Sequence, residues 1–143
     1  MTVPSDSILS EENKKELSVE AKLENYDMVM KFIDSGICDC PDDIKYQVQI
    51  AVDEIYSNIV QYAYHHETGL VKIRLSVVND VVLEFEDNGI SYNPLNEKKP
   101  DISLSAEERE IGGLGVFLVK ELMDSVEYKR IRDKNLLILR KKI

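Results

Sequence analysis

Three separated groups of residues have types and spacings that could carry chemistry. Glu54 and Asn58 lie four residues apart in a helical pattern, so they share one face of a helix. Asp87 and Gly89 lie at the end of a predicted strand, and a glycine run starts at Gly112 before a predicted helix. Glycines at a helix start let backbone N–H groups approach a phosphate, whose charge the helix N-terminus favours. The glycine run therefore indicates an anion-binding site.

Each group taken alone also has an ordinary interpretation. A glutamate and an asparagine at helical spacing fit a solvated helix face, and Asp-Asn-Gly fits a common turn. The three groups become informative because of their order along the chain. About twenty irregular residues, from 91 to 111, separate the second group from the third. A loop that long within a small domain is usually functional or disordered.

The elements that must position these groups alternate between helix and strand patterns. Period-two patterns predict strands at 16–21, 71–77, 81–87, 125–129 and 136–140, and helical periodicity predicts helices at 25–36, at 41–64 and after the glycine run. Asn25 is the predicted cap of the first helix, and Asn79-Asp80 and 133–135 are predicted hairpin turns. The strands therefore come largely as hairpins, which excludes a dinucleotide-binding fold with a parallel sheet.

Length and charge narrow the class of protein. A chain of 143 residues has room for one domain, predicted at 16–143 after a mobile lead-in at 1–15. The net charge of −9 disfavours direct nucleic-acid binding, which usually concentrates Lys and Arg on one surface. No apolar run reaches the roughly 20 residues that span a bilayer, and the N-terminus has no secretory pattern. We therefore expect a cytoplasmic protein that is not in a membrane.

In this order, the three groups resemble the nucleotide site of the ATPase superfamily that includes gyrase and the histidine kinases. Residues 52–58 and 112–124 are also similar to the standalone anti-sigma-factor serine kinases. The resemblance covers about residues 16 to 142, nearly the whole chain. It implies a Bergerat-type fold, an α/β (α+β) two-layer sandwich whose mixed, largely antiparallel sheet carries the helices on one face.

The same resemblance implies a role for each motif residue. Glu54 occupies the position of the general base that activates the attacking hydroxyl, a role that suits a carboxylate. Asn58 occupies the position of the Mg²⁺ ligand, with Mg²⁺ bridging the ATP phosphates. Asp87 matches the aspartate that accepts a hydrogen bond from the adenine amino group. Gly89 matches the glycine that lets the backbone pass close to the base.

A mobile ATP lid is implied at about residues 92–111. Within the run Gly112 to Gly115, the backbone of Gly113, Leu114 and Gly115 would donate to the phosphates. Arg109 could reach the γ-phosphate, although a surface charge among neighbouring glutamates fits it at least as well. Ser91 and Ile111 depart from the pattern, because the superfamily often has glycine at both positions.

The resemblance implies an ATP-binding anti-sigma factor with serine/threonine-protein kinase activity, using ATP and Mg²⁺. Its partners would be a sigma factor and an anti-sigma factor antagonist that it phosphorylates, and it would form a homodimer. An alternative is a regulatory protein-binding module in which ATP acts only as a conformational ligand, without phosphoryl transfer. A third interpretation is a plain interaction domain whose pocket has decayed.

Overall fold

The chain folds as two layers, a five-stranded sheet and helices on one of its faces. The computed structural model describes residues 9, 13–64, 67–96 and 113–143. The elements are β1 (Lys15–Glu20), α1 (Tyr26–Gly36), α2 (Asp42–Tyr62), β2 (Leu70–Val77), β3 (Asp80–Asp87), α3 (Gly113–Leu122), β4 (Ser125–Ile131) and β5 (Lys134–Lys142), with short 3-10 helices at Leu23–Asn25 and Pro94–Asn96. This arrangement confirms the two-layer α/β fold. Most of the predicted lead-in and of the predicted lid lies outside the described residues.

The sheet has the strand order β1-β2-β3-β5-β4, and all four pairings are antiparallel. The sequence predicted a mixed, largely antiparallel sheet, but the described strands contain no parallel pair. The reason is the position of β5. The chain returns from α3 into β4 in the same direction as β3, and β5 then inserts between these two strands in the opposite direction. The carboxyl end of β3 therefore lies beside the start of β5, at one end of these two inner strands.

The main core lies between the helices and the facing side of the sheet. Helix α2 contributes most of its buried side chains at helical spacing: Ile44, Val48, Ala51, Val52, Ile55 and Tyr56. Alternate residues of the central strands complete the core, including Ile73, Leu83, Phe85 and Leu139. No helix within the described ranges is long and apolar enough to cross a bilayer.

Two local expectations need correction. Asn25 occupies the N-cap position of α1, but its side chain caps nothing and donates from Nδ2 to the Glu20 carbonyl at 2.8 Å. The last hairpin turns at Arg132 and Asp133, and not at 133–135. Arg132 takes the positive φ of 58° that this tight turn needs, so Asn135 already lies in β5. That shift places Asn135 in the sheet opposite Asp87.

The second face of the sheet is also buried over its central strands, although no described helix covers it. Val82, Leu136 and Ile138 form a small apolar cluster there, against which Leu9 packs. Beside this cluster Arg74, 4% exposed, forms ion pairs with Glu16, Glu84 and Glu86 at 3.1, 3.5 and 2.8 Å. Three carboxylates share one guanidinium, which compensates the cost of burying these charges.

Tyr56 connects α2 to the segment that follows β1. Its side chain is fully buried, and its hydroxyl donates to the Lys22 carbonyl at 2.6 Å and accepts from the Lys22 backbone N–H at 3.2 Å. One hydroxyl therefore satisfies two backbone groups, and it fixes the chain between β1 and α1.

We expect Tyr56→Phe to lower the free energy of unfolding by about 1–3 kcal/mol, because it leaves the backbone groups of Lys22 unpaired. Urea denaturation followed by circular dichroism measures the change. Tyr46→Phe is the matched control, because Tyr46 lies on the same helix with 66% of its surface exposed. Equal urea midpoints for the two variants would show that the Tyr56 hydroxyl does not stabilise the fold.

Candidate functional site

A pocket lies where the end of α2 meets the end of β3 and the start of β5. The space between its walls amounts to about 460 Å³ when the adjoining open solvent is included. Its walls are mostly apolar and aromatic: Ile55, Ile59, Tyr62, Ala63, Phe85, Tyr92, Pro94, Tyr128 and Leu137. Its three polar non-aromatic side chains are Asn58, Asp87 and Asn135. Apolar walls with a few convergent polar groups suit a flat ring that makes specific hydrogen bonds.

Asp87 is the acidic group of this pocket and the last residue of β3. Its side chain is buried, and its Oδ1 accepts from the Gly89 backbone N–H and from Asn135 Nδ2, both at 2.9 Å. Burial raises the pKa of the Asp87 carboxyl, against the lowering effect of these two hydrogen bonds and of the Arg130 charge. The carboxylate is thus a hydrogen-bond acceptor held in an apolar wall.

Gly89 brings the turn after β3 against the end of α2. A Cβ at this position would lie 2.2 Å from the Ala63 carbonyl oxygen, which is far inside van der Waals contact. The next residue, Ile90, donates its backbone N–H to that same oxygen at 3.0 Å. Only glycine permits this approach. Gly89 therefore allows the turn to approach the end of α2. The predicted close approach of the Gly89 backbone to a base stays a prediction.

Asn58 and Glu54 lie one helical turn apart on α2, as their spacing indicated. Asn58 lines the pocket, and its buried Nδ2 has no hydrogen-bond partner among the described residues. A buried donor without a partner costs free energy, so this amide is suited to a polar ligand. Glu54 is half-buried, and burial, with a smaller contribution from Asp53, raises the pKa of its carboxyl. Glu54 is not among the residues that line the pocket.

The glycine run lies at the start of α3. Gly113, Leu114 and Gly115 form its first turn, whose backbone N–H groups have no acceptors within the helix. Arg109 and Gly112 lie outside the described residues, as do residues 97–111 of the predicted lid. The structure therefore brings Asn58 and Asp87 together at the pocket and places the Gly113 turn at a helix N-terminus. Gly89 donates to Asp87 but is not among the residues that line the pocket.

Residues of the last hairpin complete the site, and the sequence motifs did not identify them. Asn135 on β5 and Tyr128 on β4 line the pocket, while Arg130 donates from Nη1 to the Gly89 carbonyl at 2.9 Å. A signal was available in the sequence, because asparagine is uncommon within strands and Asn135 directly precedes four buried apolar residues. Recognising it required the register that sets Asn135 opposite Asp87.

Comparison with known proteins relates this chain to a family of ATPases. The profile of the histidine kinase-like ATPase domain matches residues 19–141. The serine-protein kinases RsbW of Bacillus cereus and of Bacillus thuringiensis subsp. konkukian are each 32% identical over 123 residues, covering 80% of this chain and 76% of theirs. These matches confirm the resemblance that the motifs indicated.

Solved structures support the same fold. The RsbU and RsbW domains of Rv1364c from Mycobacterium tuberculosis superpose with a TM-score of 0.64 at 10% identity, over 90% of this chain and 32% of theirs. The histidine kinase domain of the blue-light activated kinase from Erythrobacter litoralis EL346 gives a TM-score of 0.50 at 14% identity, over 81% and 58%. The chain thus spans about a third and about three fifths of these two structures, which share its fold.

We expect Gly89→Ala to destabilise the chain by about 1–3 kcal/mol, because the new methyl group would displace the turn from Ala63. Asn88→Ala is the matched control, since the Asn88 side chain is exposed and its backbone N–H would still donate to the Tyr64 hydroxyl. Urea denaturation compares the two. Indistinguishable midpoints would mean that the turn moves away from α2 at no cost.

Proposed function

The chain belongs to the family of histidine kinase-like ATPase domains, and we propose that it is a cytoplasmic, ATP-dependent serine/threonine-protein kinase acting as an anti-sigma factor. One observation carries the nucleotide part of this proposal. The buried carboxylate of Asp87 and the buried Nδ2 of Asn58, which has no hydrogen-bond partner among the described residues, lie in one apolar pocket. Glu54 lies one helical turn before Asn58. Adenine recognition, phosphate binding and proton transfer would thus take place around one helix.

Asp87 would recognise the adenine ring. Among the described residues, both hydrogen bonds to the Asp87 side chain end on Oδ1, which would leave Oδ2 as an acceptor for the exocyclic amino group. Ile59, Phe85 and Leu137 provide apolar walls for a flat base. A guanine ring presents a carbonyl oxygen where adenine has its amino group, so a carboxylate would disfavour it.

Asn58 would hold the metal-bound phosphates from α2, and the first turn of α3 would donate backbone N–H groups to them. Within the described ranges, no group of three or more His, Cys, Asp and Glu residues could hold a metal ion. This fits Mg²⁺, which takes few protein ligands and keeps phosphate oxygens and waters. When bound, Mg²⁺-ATP supplies the phosphoryl group and neutralises charge that develops during its transfer.

Glu54 would act as the general base. It accepts the proton of a serine or threonine hydroxyl on the protein substrate while the hydroxyl oxygen bonds to the γ-phosphorus. The bond from that phosphorus to the bridging oxygen breaks, and ADP leaves. Burial raises the pKa of Glu54 toward the working pH, which makes it a better base than an exposed glutamate.

The protein partners follow from the resemblance alone. We propose that the chain binds a sigma factor, phosphorylates an anti-sigma factor antagonist and works as a homodimer. The relatives named serine-protein kinase act on proteins, which supports a protein substrate for the same site. The net charge of −9 favours control of transcription through protein contacts over direct contact with DNA.

Asp87→Asn should weaken Mg²⁺-ATP binding by roughly 10- to 100-fold, the scale of one hydrogen bond to a charged group. The fold should persist, because the new amide oxygen can still accept from Gly89 and Asn135. Isothermal titration calorimetry measures the affinity, and Asp80→Asn at the other end of β3 is the matched control. Wild-type affinity in Asp87→Asn would overturn the assignment of Asp87 to adenine.

The same variant makes a prediction about stability. Burial raises the folded-state pKa of Asp87 above its unfolded-state pKa. The folded chain therefore loses stability as pH rises from the unfolded-state pKa through the folded-state pKa. The loss is complete above the folded-state pKa of Asp87. Nucleotide-free Asp87→Asn should therefore melt at the same temperature as the wild type or higher, measured by circular dichroism.

Glu54→Gln should lower phosphoryl transfer to the antagonist by about 10²- to 10⁴-fold and leave Mg²⁺-ATP affinity within a few-fold. Phosphate incorporation and calorimetry measure the two quantities. Asp53→Asn is the neighbouring control, and it should shift only the acidic limb of the pH–rate profile, to lower pH, because it removes a charge that raises the Glu54 pKa. Partner release that persists in Glu54→Gln would favour a module in which ATP is only a conformational ligand.

A further inference from the structure

Asn135 is the centre of a hydrogen-bond network behind Asp87. It is the second residue of β5, where it pairs with Asp87 on β3 and with Arg130 on β4. Only 7% of its surface is exposed. An amide on the middle one of three strands can form hydrogen bonds with both neighbouring strands. Loss of one of these hydrogen bonds would cost free energy, because the polar group left without a partner is buried.

Both ends of the Asn135 amide are occupied. Nδ2 donates to Asp87 Oδ1 at 2.9 Å and to the Ile90 carbonyl at 2.7 Å. Oδ1 accepts from the Tyr128 hydroxyl at 2.5 Å and from Arg130 Nη1 at 3.1 Å. These partners fix the orientation of the amide, because the guanidinium of Arg130 can only donate and the Ile90 carbonyl can only accept.

The network forms hydrogen bonds with only one of the two carboxylate oxygens of Asp87 among the described residues. The Gly89 backbone N–H and Asn135 Nδ2 both end on Oδ1. Within the part of the chain that the structure describes, no hydrogen bond reaches Oδ2. Two donors on one oxygen fix the plane of a carboxylate, so the second oxygen has a defined direction.

Arg130 fixes the other side of the same turn. Its Nη1 donates to the Gly89 carbonyl at 2.9 Å as well as to Asn135 Oδ1. The turn that carries Asp87 and Gly89 is therefore attached to the β4–β5 hairpin through both a side chain and a backbone carbonyl. Without the Asn135 side chain, Arg130 would still hold Gly89, but the Asp87 carboxylate would lose its side-chain donor from β5.

We propose that Asn135 is a positioning residue that sets base selectivity, by directing a single oxygen of Asp87 at the C6 position of the purine, where adenine has an amino group and guanine has a carbonyl. This inference rests on the proposed nucleotide-binding function. A carboxylate free to rotate could turn away from a guanine carbonyl and would discriminate poorly. A carboxylate held by Asn135 cannot turn away, so the C6 carbonyl of guanine would face a carboxylate oxygen to which it cannot donate a hydrogen bond.

The charges around Asp87 bear on the test. Arg130 on β4 favours its ionised form, and Glu86 on β3 opposes it. The phenol groups of Tyr64, after α2, and Tyr128, on β4, also lie near Asp87. Loss of the Asn135 donor should therefore move the protonation of Asp87 to higher pH, since one group that favours the carboxylate is removed.

The experiment measures Mg²⁺-ATP and Mg²⁺-GTP affinities of wild type, Asn135→Asp and Asn135→Ser by calorimetry, from mildly acidic to neutral pH. Asn135→Asp keeps the shape and the acceptors for Tyr128 and Arg130, but it removes both donors. If the second buried carboxylate in Asn135→Asp prevents folding, the same measurements are made on Asn135→Ser, which adds no charge. Asn79→Asp, at the exposed β2–β3 turn, is the control for the added charge.

We expect the ATP-to-GTP affinity ratio to narrow by about tenfold or more in both Asn135 variants. The acid limit of ATP binding should move to higher pH, while Asn79→Asp matches the wild type. Equal losses of ATP and GTP affinity with an unchanged pH limit would overturn the inference and show a structural role only. Wild-type protein that binds neither nucleotide would refute the proposed function itself, which separates the two failures.

Discussion

The site depends on a carboxylate buried in an apolar pocket. Asp87 is costly there, because a charge removed from water must recover its stabilisation from hydrogen bonds and opposite charges. The Gly89 turn and the Asn135 amide supply the hydrogen bonds, and Arg130 supplies charge from one strand further away. The turn after β3 and the β4–β5 hairpin together hold the Asp87 carboxylate in this pocket.

The two faces of the sheet bury different kinds of side chains. The face toward the helices holds the apolar core, and α2 carries Asn58 and Glu54 on the end of the helix nearest the pocket. The other face holds Arg74 with three glutamates beside an apolar cluster. Strands β3 and β5 contribute to both faces through alternate side chains, so the pocket is built on strands that are packed on each side.

The sequence was sufficient for the local features of the site. Glu54 and Asn58 share a helix because their spacing is a property of that helix, and Asp87 ends its strand because Gly89 permits the turn that follows. The resemblance to a known family covered the fold and the class of reaction. Features that depend on strand pairing could not be predicted in this way. Asn135 was assigned to a turn, and its partners Arg130 and Tyr128 became relevant only when β4, β5 and β3 were set in register.

Charge alternation along β2 and β3 does not indicate whether the second face is solvated. Lys72, Arg74, Glu84 and Glu86 alternate with apolar residues, as on a strand with one solvated face, yet Glu84 is fully buried. Burial there results from what lies over the sheet, and Leu9 is the described residue outside the strands that packs onto its apolar cluster. A pattern of period two fixes which residues share a face, but it does not fix whether water reaches that face.

The two-residue turn at Arg132 and Asp133 has a consequence for how this site could be altered. It sets the pairing of Asn135 with Asp87, and the neighbours of Asn135 are Lys134 on one side and Leu136 on the other. Inserting one residue into this turn would direct the opposite set of β5 side chains at the helices and leave a lysine or a leucine facing the acid. The hairpin therefore tolerates exchange of its residues far better than any change in their number, and insertions would remove the site in a single step.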